Sequence, residues 1–325
     1  MTDNILLLDP SISTSNIGDE IIMECILKEL EFLIEDNFTY RLPTHVSPFH
    51  WYQVLRNSLA VQNYANCKYK FACGSNLLIK DMLTHYPQWN INIFNYKPIK
   101  DTILVGVGAS AHEYTNRYTV YLYKKLLSDK YIHSVRDERT REYVESLGLR
   151  AINTGCATMW MLTPEFCKSI PTKKASNVVF TLTASTHPLP TDQQLIDILQ
   201  RNYNHIYFWV QGDKDLDYFG HFHNTDNIKV IAPTKDAYER ILQSDDLDYV
   251  GTRLHAGIYA MRHSKRSIII VIDERAREIN KSNNLVCLER KQIGERLDSL
   301  INSEFETSII MPFDKINEWK SQFDH

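Results

Sequence analysis

The segment Gly251-Thr252-Arg253-Leu254-His255-Ala256 combines features that suit the binding of an anion. It lies where a strand ending near Thr252 is predicted to turn into a helix, and such a turn presents backbone N–H groups and the positive end of a helix dipole. The guanidinium of Arg253 is shaped to bind phosphate or carboxylate, and His255 titrates near neutral pH. A surface arginine beside a capping histidine fits the same pattern, so both interpretations stay open.

A second strand end carries a similar pair, Arg136-Asp137, after His133-Ser134-Val135. Asp137 is the predicted N-cap of a helix over 138–147, and Arg136 is expected just beyond the carboxyl end of the strand. An arginine followed by an aspartate is also a common structural ion pair, which is the alternative.

The segment Ser15-Asn16-Ile17-Gly18-Asp19-Glu20 lies between the first predicted strand and the first helix, where doubly wound folds bind ligands. Asn16 offers donors and acceptors, Gly18 permits close backbone approach, and Asp19 or Glu20 could accept a proton from a hydroxyl. A helix cap with acidic residues in its first turn is the structural alternative. Glycine-bearing turns follow two more strands, at Gly74-Ser75-Asn76 and Gly106-Val107-Gly108.

Several common sites are not predicted. Neither glycine turn completes a dinucleotide-binding or P-loop motif. The histidines at 187, 205, 221 and 223 and the six scattered cysteines lack the spacing of metal ligands. We therefore expect no metal and no cofactor, and reduced, mostly structural cysteines.

Short β-branched and aromatic runs alternate with amphipathic segments of helical length along the chain, which predicts an α/β protein with parallel sheets. Strands are expected at 5–8, 70–72, 102–107, 132–135 and 150–153, and then at 178–183, 206–210, 229–231, 249–252, 268–272 and 285–287. We expect two Rossmann-like parallel-sheet domains that face each other across a cleft, with strand carboxyl ends and helix N-termini at the cleft.

Length and composition agree with two globular domains. The chain has 325 residues, 43% hydrophobic and 23% charged, and a net charge of −4, which excludes disordered, collagenous and coiled-coil classes and gives no basic field for nucleic acid. Its N-terminus lacks a secretory pattern, and no run approaches the roughly 18–20 apolar residues that span a bilayer. The expected location is cytoplasmic.

A polar stretch with proline at each end suggests the domain boundary. The first domain is predicted over 1–165, a linker over 166–176, the second domain over 177–312, and a C-terminal helix over 313–325 that could pack back on the first domain.

Taken together and in order, these motifs resemble the polysaccharide pyruvyltransferase family, from Asn16 to about Asp273. The motifs are Asn16 to Glu20, Gly74 to Leu77, Gly106 to Gly108, Ser134 to Asp137 and Gly251 to Ala256. The resemblance implies a GT-B-like fold and transfer of a pyruvyl group from phosphoenolpyruvate to sugar hydroxyls of a cell-surface polysaccharide or its precursor, without a metal. A lipid-linked acceptor would bring the enzyme to the inner membrane face; the oligomeric state is left open.

The resemblance also implies roles for the motif residues. The donor would bind in the second domain and the acceptor in the first. Donor-binding residues would be Arg136, Arg253, Leu254, His255 and Arg275, and acceptor-binding residues would be Asn16, Gly18, Asp19, Glu20, Gly74, Ser75, Asn76 and Gly108. His255 is the expected general acid, with phosphate contact as its other role. Arg253 would support catalysis, and Asp19 or Glu20 would orient or deprotonate the sugar hydroxyl.

The chain departs from the family where Asp273-Glu274-Arg275 replaces an Asp-x-Lys pattern, an exchange that keeps charge and alters geometry. Two alternative functions remain at this point. A GT-B nucleotide-sugar glycosyltransferase would release a nucleotide instead of phosphate, and a non-catalytic glycan-binding protein would consume no donor.

Overall fold

The computed structural model describes residues 3–85, 88–110, 115–272 and 274–323, with side chains omitted for 274–276. The chain divides into two compact units. The first unit contains residues 1–14, 22–160 and 312–325, and the second contains residues 15–21 and 161–311. Both are built on parallel sheets, so the α/β class predicted from the sequence is confirmed.

The first unit has a parallel sheet in the order β2-β1-β3-β4 and a two-stranded parallel ladder of β5 and β6. A bridge between Val107 and Val135 joins the ladder to the end of β4. Ile5 to Leu8 are fully buried, as expected for a central parallel strand. The strands are Asn4–Asp9 (β1), Phe38–Pro43 (β2), Tyr69–Cys73 (β3), Ile103–Val105 (β4), His133–Val135 (β5) and Ala151–Asn153 (β6).

Within the described part of the chain, six α-helices lie between these strands in sequence. They are Gly18–Glu29 (α1), Glu31–Ile34 (α2), Trp51–Leu55 (α3), Leu59–Ala65 (α4), Arg117–Leu126 (α5) and Glu138–Ser146 (α6). Asp137 caps α6, because its Oδ1 accepts a hydrogen bond from the Thr140 amide at 2.7 Å. The cap predicted at Asp137 is therefore confirmed.

The second unit is one six-stranded parallel sheet in the order β12-β11-β10-β7-β8-β9. Its strands are Asn177–Thr181 (β7), His205–Trp209 (β8), Ile228–Ile231 (β9), Asp248–Gly251 (β10), Ser267–Val271 (β11) and Cys287–Glu289 (β12). The order reverses direction between β7 and β10. In doubly wound sheets such a switch point is where ligands bind, outside the strand carboxyl ends.

The α-helices described for this unit are Pro164–Cys167 (α7), Pro190–Asn202 (α8), Asp215–Phe219 (α9), Lys235–Leu242 (α10), Leu254–Arg262 (α11), Glu274–Asn283 (α12) and Asp298–Asn302 (α13). Helices α8 to α12 connect successive strands of this unit, whereas α7 precedes β7 and α13 follows β12. The segment 166–176, predicted as a linker, lies inside the second unit. It is bonded there, since Lys174 Nζ donates to Asn202 O at 2.8 Å and Phe305 N donates to Thr172 O at 3.1 Å.

The last helix, Phe313–Lys320 (α14), belongs to the first unit. Trp319 is fully buried and donates from Nε1 to Ile132 O at 2.9 Å, and its ring packs edge-on against Trp160. The end of the chain thus completes the core of the first unit. No helix among the described residues is long and apolar enough to cross a membrane.

Candidate functional site

Arg253 follows β10 at the switch point of the second sheet and is the N-cap of α11. Its backbone is held by a closed set of hydrogen bonds. Arg253 N donates to Thr181 Oγ1 at 3.2 Å, and Tyr249 Oη donates to Arg253 O at 2.8 Å and lies 2.6 Å from Thr181 Oγ1. Burial raises the pKa of Tyr249, which keeps its hydroxyl protonated as a donor.

The Arg253 side chain forms a bidentate ion pair with Asp215, the first residue of α9. Nε donates to Oδ2 at 3.1 Å and Nη2 donates to Oδ1 at 2.5 Å, and Nε also donates to Leu182 O at 3.3 Å. Asp215 is fully buried. The pair fixes the plane of the guanidinium, and within the described residues no hydrogen bond uses its Nη1.

The loop before α9 is shaped around this pair. Asp215 also accepts from Gly212 N at 2.8 Å and Ala184 N at 3.1 Å, so four donors from three segments surround one carboxylate. A Cβ at Gly212 would lie 2.4 Å from Arg253 Nη2, which is too close for any side chain. The observed position of the Arg253 side chain therefore requires glycine at 212.

The segment with Asn16 and Gly18 lies against the same loop. Asn16 pairs with Gly212 in an antiparallel bridge, and Gln211 Nε2 donates to Asn16 Oδ1 at 2.8 Å. Gly18 N donates to the same oxygen at 3.1 Å. The structure therefore groups Asn16 and Gly18 with Arg253 in the second unit, whereas the sequence interpretation placed them with the glycine turns of the first.

Helix α11 presents its N-terminal turn at this point. The side chain of Arg253, the N-cap residue, makes no capping hydrogen bond, and the positive end of the helix dipole suits an anion. His255 lies in this first turn and is 5% exposed, and Leu254 is buried beside it. A Cβ at Gly257 would come within 2.8 Å of Ile269 and Tyr249, so glycine lets α11 lie close to the sheet.

The first unit holds a second cluster at the carboxyl ends of β3, β4 and β5. Gly74 and Ser75 adopt positive φ angles, and Gly108 N donates to Ser75 O at 2.8 Å. A Cβ at Gly74 would lie 2.2 Å from Ile22, so only glycine fits. These turns bring Asn76 and Gly108 to the same place.

Arg136 completes this cluster. Its side chain is 3% exposed, its Nη2 donates to Asn76 Oδ1, and its Nε lies 3.4 Å from Asp137 Oδ2. A Cβ at Gly108 would lie 2.4 Å from Arg136 Cζ, so the guanidinium rests on bare backbone. Arg136, predicted on the donor side, is thus placed with the residues predicted for the acceptor.

The remaining predicted residues have simpler positions. Asp19 is buried and Glu20 is partly exposed in the first turn of α1. Arg275 lies in α12 with its side chain outside the described part, and Asp273 lies outside the described residues. The sequence interpretation missed Asp215 and Gly212, although Gly212-Asp213-Lys214-Asp215 occupies the same strand-to-helix position as the other motifs.

Solved structures with a similar backbone define the class of fold. UDP-GlcNAc 2-epimerase from Methanocaldococcus jannaschii aligns at a TM-score of 0.56, with 10% identity and 99% of both chains covered. The S. aureus MnaA–UDP structure aligns at 0.51, with 10% identity over 93% of this chain and 88% of that one. The protein therefore has a GT-B-like fold. No curated protein matches the chain in sequence.

The family follows from the sequence match. Residues 16–274 match the polysaccharide pyruvyl transferase family, which covers both clusters described above. The chain belongs to this family, and the resemblance inferred from its motifs is confirmed.

Proposed function

We propose that the protein transfers a pyruvyl group from phosphoenolpyruvate to hydroxyl groups of a cell-surface polysaccharide or its precursor, with release of phosphate and formation of a cyclic ketal. Family membership supports a transferase acting in polysaccharide modification. The observation that carries the proposal is the N-terminus of α11, where an arginine of fixed orientation and a buried histidine lie at the positive end of the helix dipole.

Phosphoenolpyruvate has a phosphate and a carboxylate and therefore needs concentrated N–H donors. In the proposed site the α11 N-terminus and Arg253 Nη1 bind the donor. Asp215 neutralises much of the guanidinium charge. The main contribution of Arg253 to donor binding is therefore a hydrogen-bond donor of fixed orientation and not a net positive charge. The helix dipole then supplies more of the attraction for the anionic donor than the sequence alone suggests.

In the reaction, a proton is added to donor C3 and an acceptor oxygen bonds to C2. The C2–O bond to phosphate breaks, and a neighbouring hydroxyl closes the ketal. One hydroxyl proton balances the proton gained at C3, and the other leaves with phosphate. His255 is the proposed acid, since its imidazole can donate a proton and it lies in the turn proposed to bind the donor.

Acceptor binding is proposed for the cluster around Asn76, Gly108 and Arg136. The Asn76 amide and the Arg136 guanidinium, which rests on the backbone of Gly108, supply donors for sugar hydroxyls. Asp19 or Glu20 remains the proposed group that orients or deprotonates a hydroxyl. Donor and acceptor assignments can be tested separately.

Phosphate release from phosphoenolpyruvate, measured with and without glycosides or extracted lipid-linked glycan, tests the proposal. We expect acceptor-dependent release that falls by at least about a hundredfold in His255→Gln, in the usual range for loss of a general acid. His205→Gln, at an exposed strand end of the same unit, is the matched control. Release of a nucleotide from a nucleotide sugar with no consumption of phosphoenolpyruvate would refute the proposal and indicate a glycosyltransferase.

A further inference from the structure

Exposed apolar side chains of the first unit are concentrated in one stretch of the chain. Of the thirteen large hydrophobic residues that the described chain exposes, eight fall between residues 46 and 94. Their exposed fractions reach 62% for Trp51, 76% for Leu55, 74% for Leu59 and 65% for Phe94. Single exposed hydrophobics are ordinary, but a concentration of them marks an interaction surface.

These residues belong to one region of the fold. Trp51 and Phe94 line a single hollow of about 470 Å³ together with Phe49. Helix α3 carries Trp51, Tyr52 and Leu55, and α4, which begins at Leu59, packs against the turn at Lys97–Ile99. We call this surface the aromatic–basic face; it consists of Trp51, Tyr52, Leu55, Arg56, Leu59, Ile93, Phe94, Lys97 and Lys100.

The same stretch of chain is strongly basic. Residues 37–101 contain seven lysines and arginines and two acidic residues, Asp81 and Asp101, a net charge of +5 in a chain of net charge −4. Arg41 and Lys68 pair with aspartates and Lys70 is buried. Arg56, Lys97 and Lys100 are exposed on the aromatic–basic face.

We propose that the aromatic–basic face binds the surface of a bilayer containing anionic lipid. Tryptophan and tyrosine favour the headgroup level of a membrane, leucine and phenylalanine enter the acyl boundary, and arginine and lysine attract anionic headgroups. A second copy of the chain fits less well, because a symmetric dimer through this face would bring two basic surfaces together.

Co-sedimentation of the full chain with phosphatidylcholine vesicles, with and without phosphatidylglycerol, tests the proposal. We expect binding that requires phosphatidylglycerol and weakens with added salt. Leu55→Ser combined with Leu59→Ser should lower the bound fraction about tenfold. Leu216→Ser combined with Ile310→Ser is the matched control, since it removes two exposed hydrophobics from the second unit.

Three results would overturn the proposal: absence of binding, binding independent of phosphatidylglycerol, or equal loss in both double variants. Conversion of a dimer to a monomer by the Leu55 and Leu59 changes, without vesicle binding, would instead assign the face to self-association. The experiment uses no donor or acceptor, so its outcome is independent of the proposed pyruvyl transfer.

Discussion

Arg253 and Asp215 form a bidentate ion pair across 38 positions of the chain, with the carboxylate fully buried and the arginine side chain 18% exposed. The pair joins the loop after β8 to the N-terminus of α11. The ion pair fixes the orientation of the guanidinium, which is held in one plane at the edge of the sheet where ligands of doubly wound folds bind.

We expect Asp215→Asn to raise the KM for phosphoenolpyruvate about tenfold, equivalent to about 1.4 kcal/mol. An amide can accept at only one of its two head atoms, so it cannot satisfy the guanidinium and two backbone N–H groups together. Loss of the buried anion should also lower the free energy of unfolding by about 1–3 kcal/mol. Steady-state kinetics and urea unfolding measure the two effects.

Asp192→Asn is a close control for this change. Asp192 is also fully buried in the second unit and pairs with Arg290, whose side chain is 19% exposed. A similar loss of stability with an unchanged KM is expected for this variant. If both variants alter KM equally, Asp215 has only a structural role.

Gly212→Ala should lower kcat/KM by at least about tenfold, because its methyl group would occupy the position of Arg253 Nη2 and displace the guanidinium. Gly220→Ala, at the end of α9, meets only two carbonyl oxygens, at 3.4 and 3.8 Å, and should stay within about twofold of wild type. Full activity in Gly212→Ala would show that the observed arginine position is unimportant for turnover.

Arg136→Lys should reduce kcat/KM about tenfold with a larger effect on the acceptor KM than on the donor KM. Lysine keeps the charge but loses the planar group that reaches Asn76 and rests on Gly108. Arg141→Lys, on helix α6 just after Arg136, alters a surface ion pair and should change activity little. A selective rise in donor KM would return Arg136 to the donor side.

His133 makes the stability of the first unit depend on pH. Burial lowers its pKa from 6.5 to about 4. The neutral ring is required, since Nδ1 accepts from Leu104 N at 3.1 Å and Nε2 donates to Ser128 O at 2.9 Å. Between pH 6.5 and pH 4 the His133 imidazole is protonated in the unfolded chain but neutral in the folded protein. The free energy of unfolding is therefore highest above pH 6.5 and decreases as the pH falls towards 4.

Urea unfolding followed between pH 7 and pH 4 measures this effect, on the order of a few kcal/mol. His133→Asn, which keeps an acceptor towards Leu104 N, should flatten the dependence, whereas His205→Asn at an exposed position should preserve it. An NMR titration of His133 near pH 6.5 in the folded protein would contradict the prediction.

The sequence predicted the parallel sheets well where strands are buried on both faces. Continuous apolar runs such as Ile5 to Leu8 and Ile268 to Ile270 mark central strands, and all are fully buried. It missed β2, because this edge strand buries only Leu42 and mixes threonine and arginine into its six residues. The alternation of apolar and polar residues that predicts a strand is weak where one face and one edge of the strand are open to solvent.

The sequence also predicted that Arg253, His255 and Arg136 follow strand ends, since each lies at a strand-to-helix turn. It could not predict Asp215 as the partner of Arg253. Several acidic residues follow β8, among them Asp213, Asp215 and Asp217, and only the three-dimensional path of the loop selects one of them. Likewise, the grouping of Asn16 with Gly212 depends on a bridge between distant segments.

Transfer of carbon label from phosphoenolpyruvate to glycan is the most direct test of the central claim. We expect label in the glycan in equal amount to the phosphate released, with both lost in His255→Gln and retained in His205→Gln. Phosphate release without label in the glycan, or label transfer unaffected by His255→Gln, would contradict it.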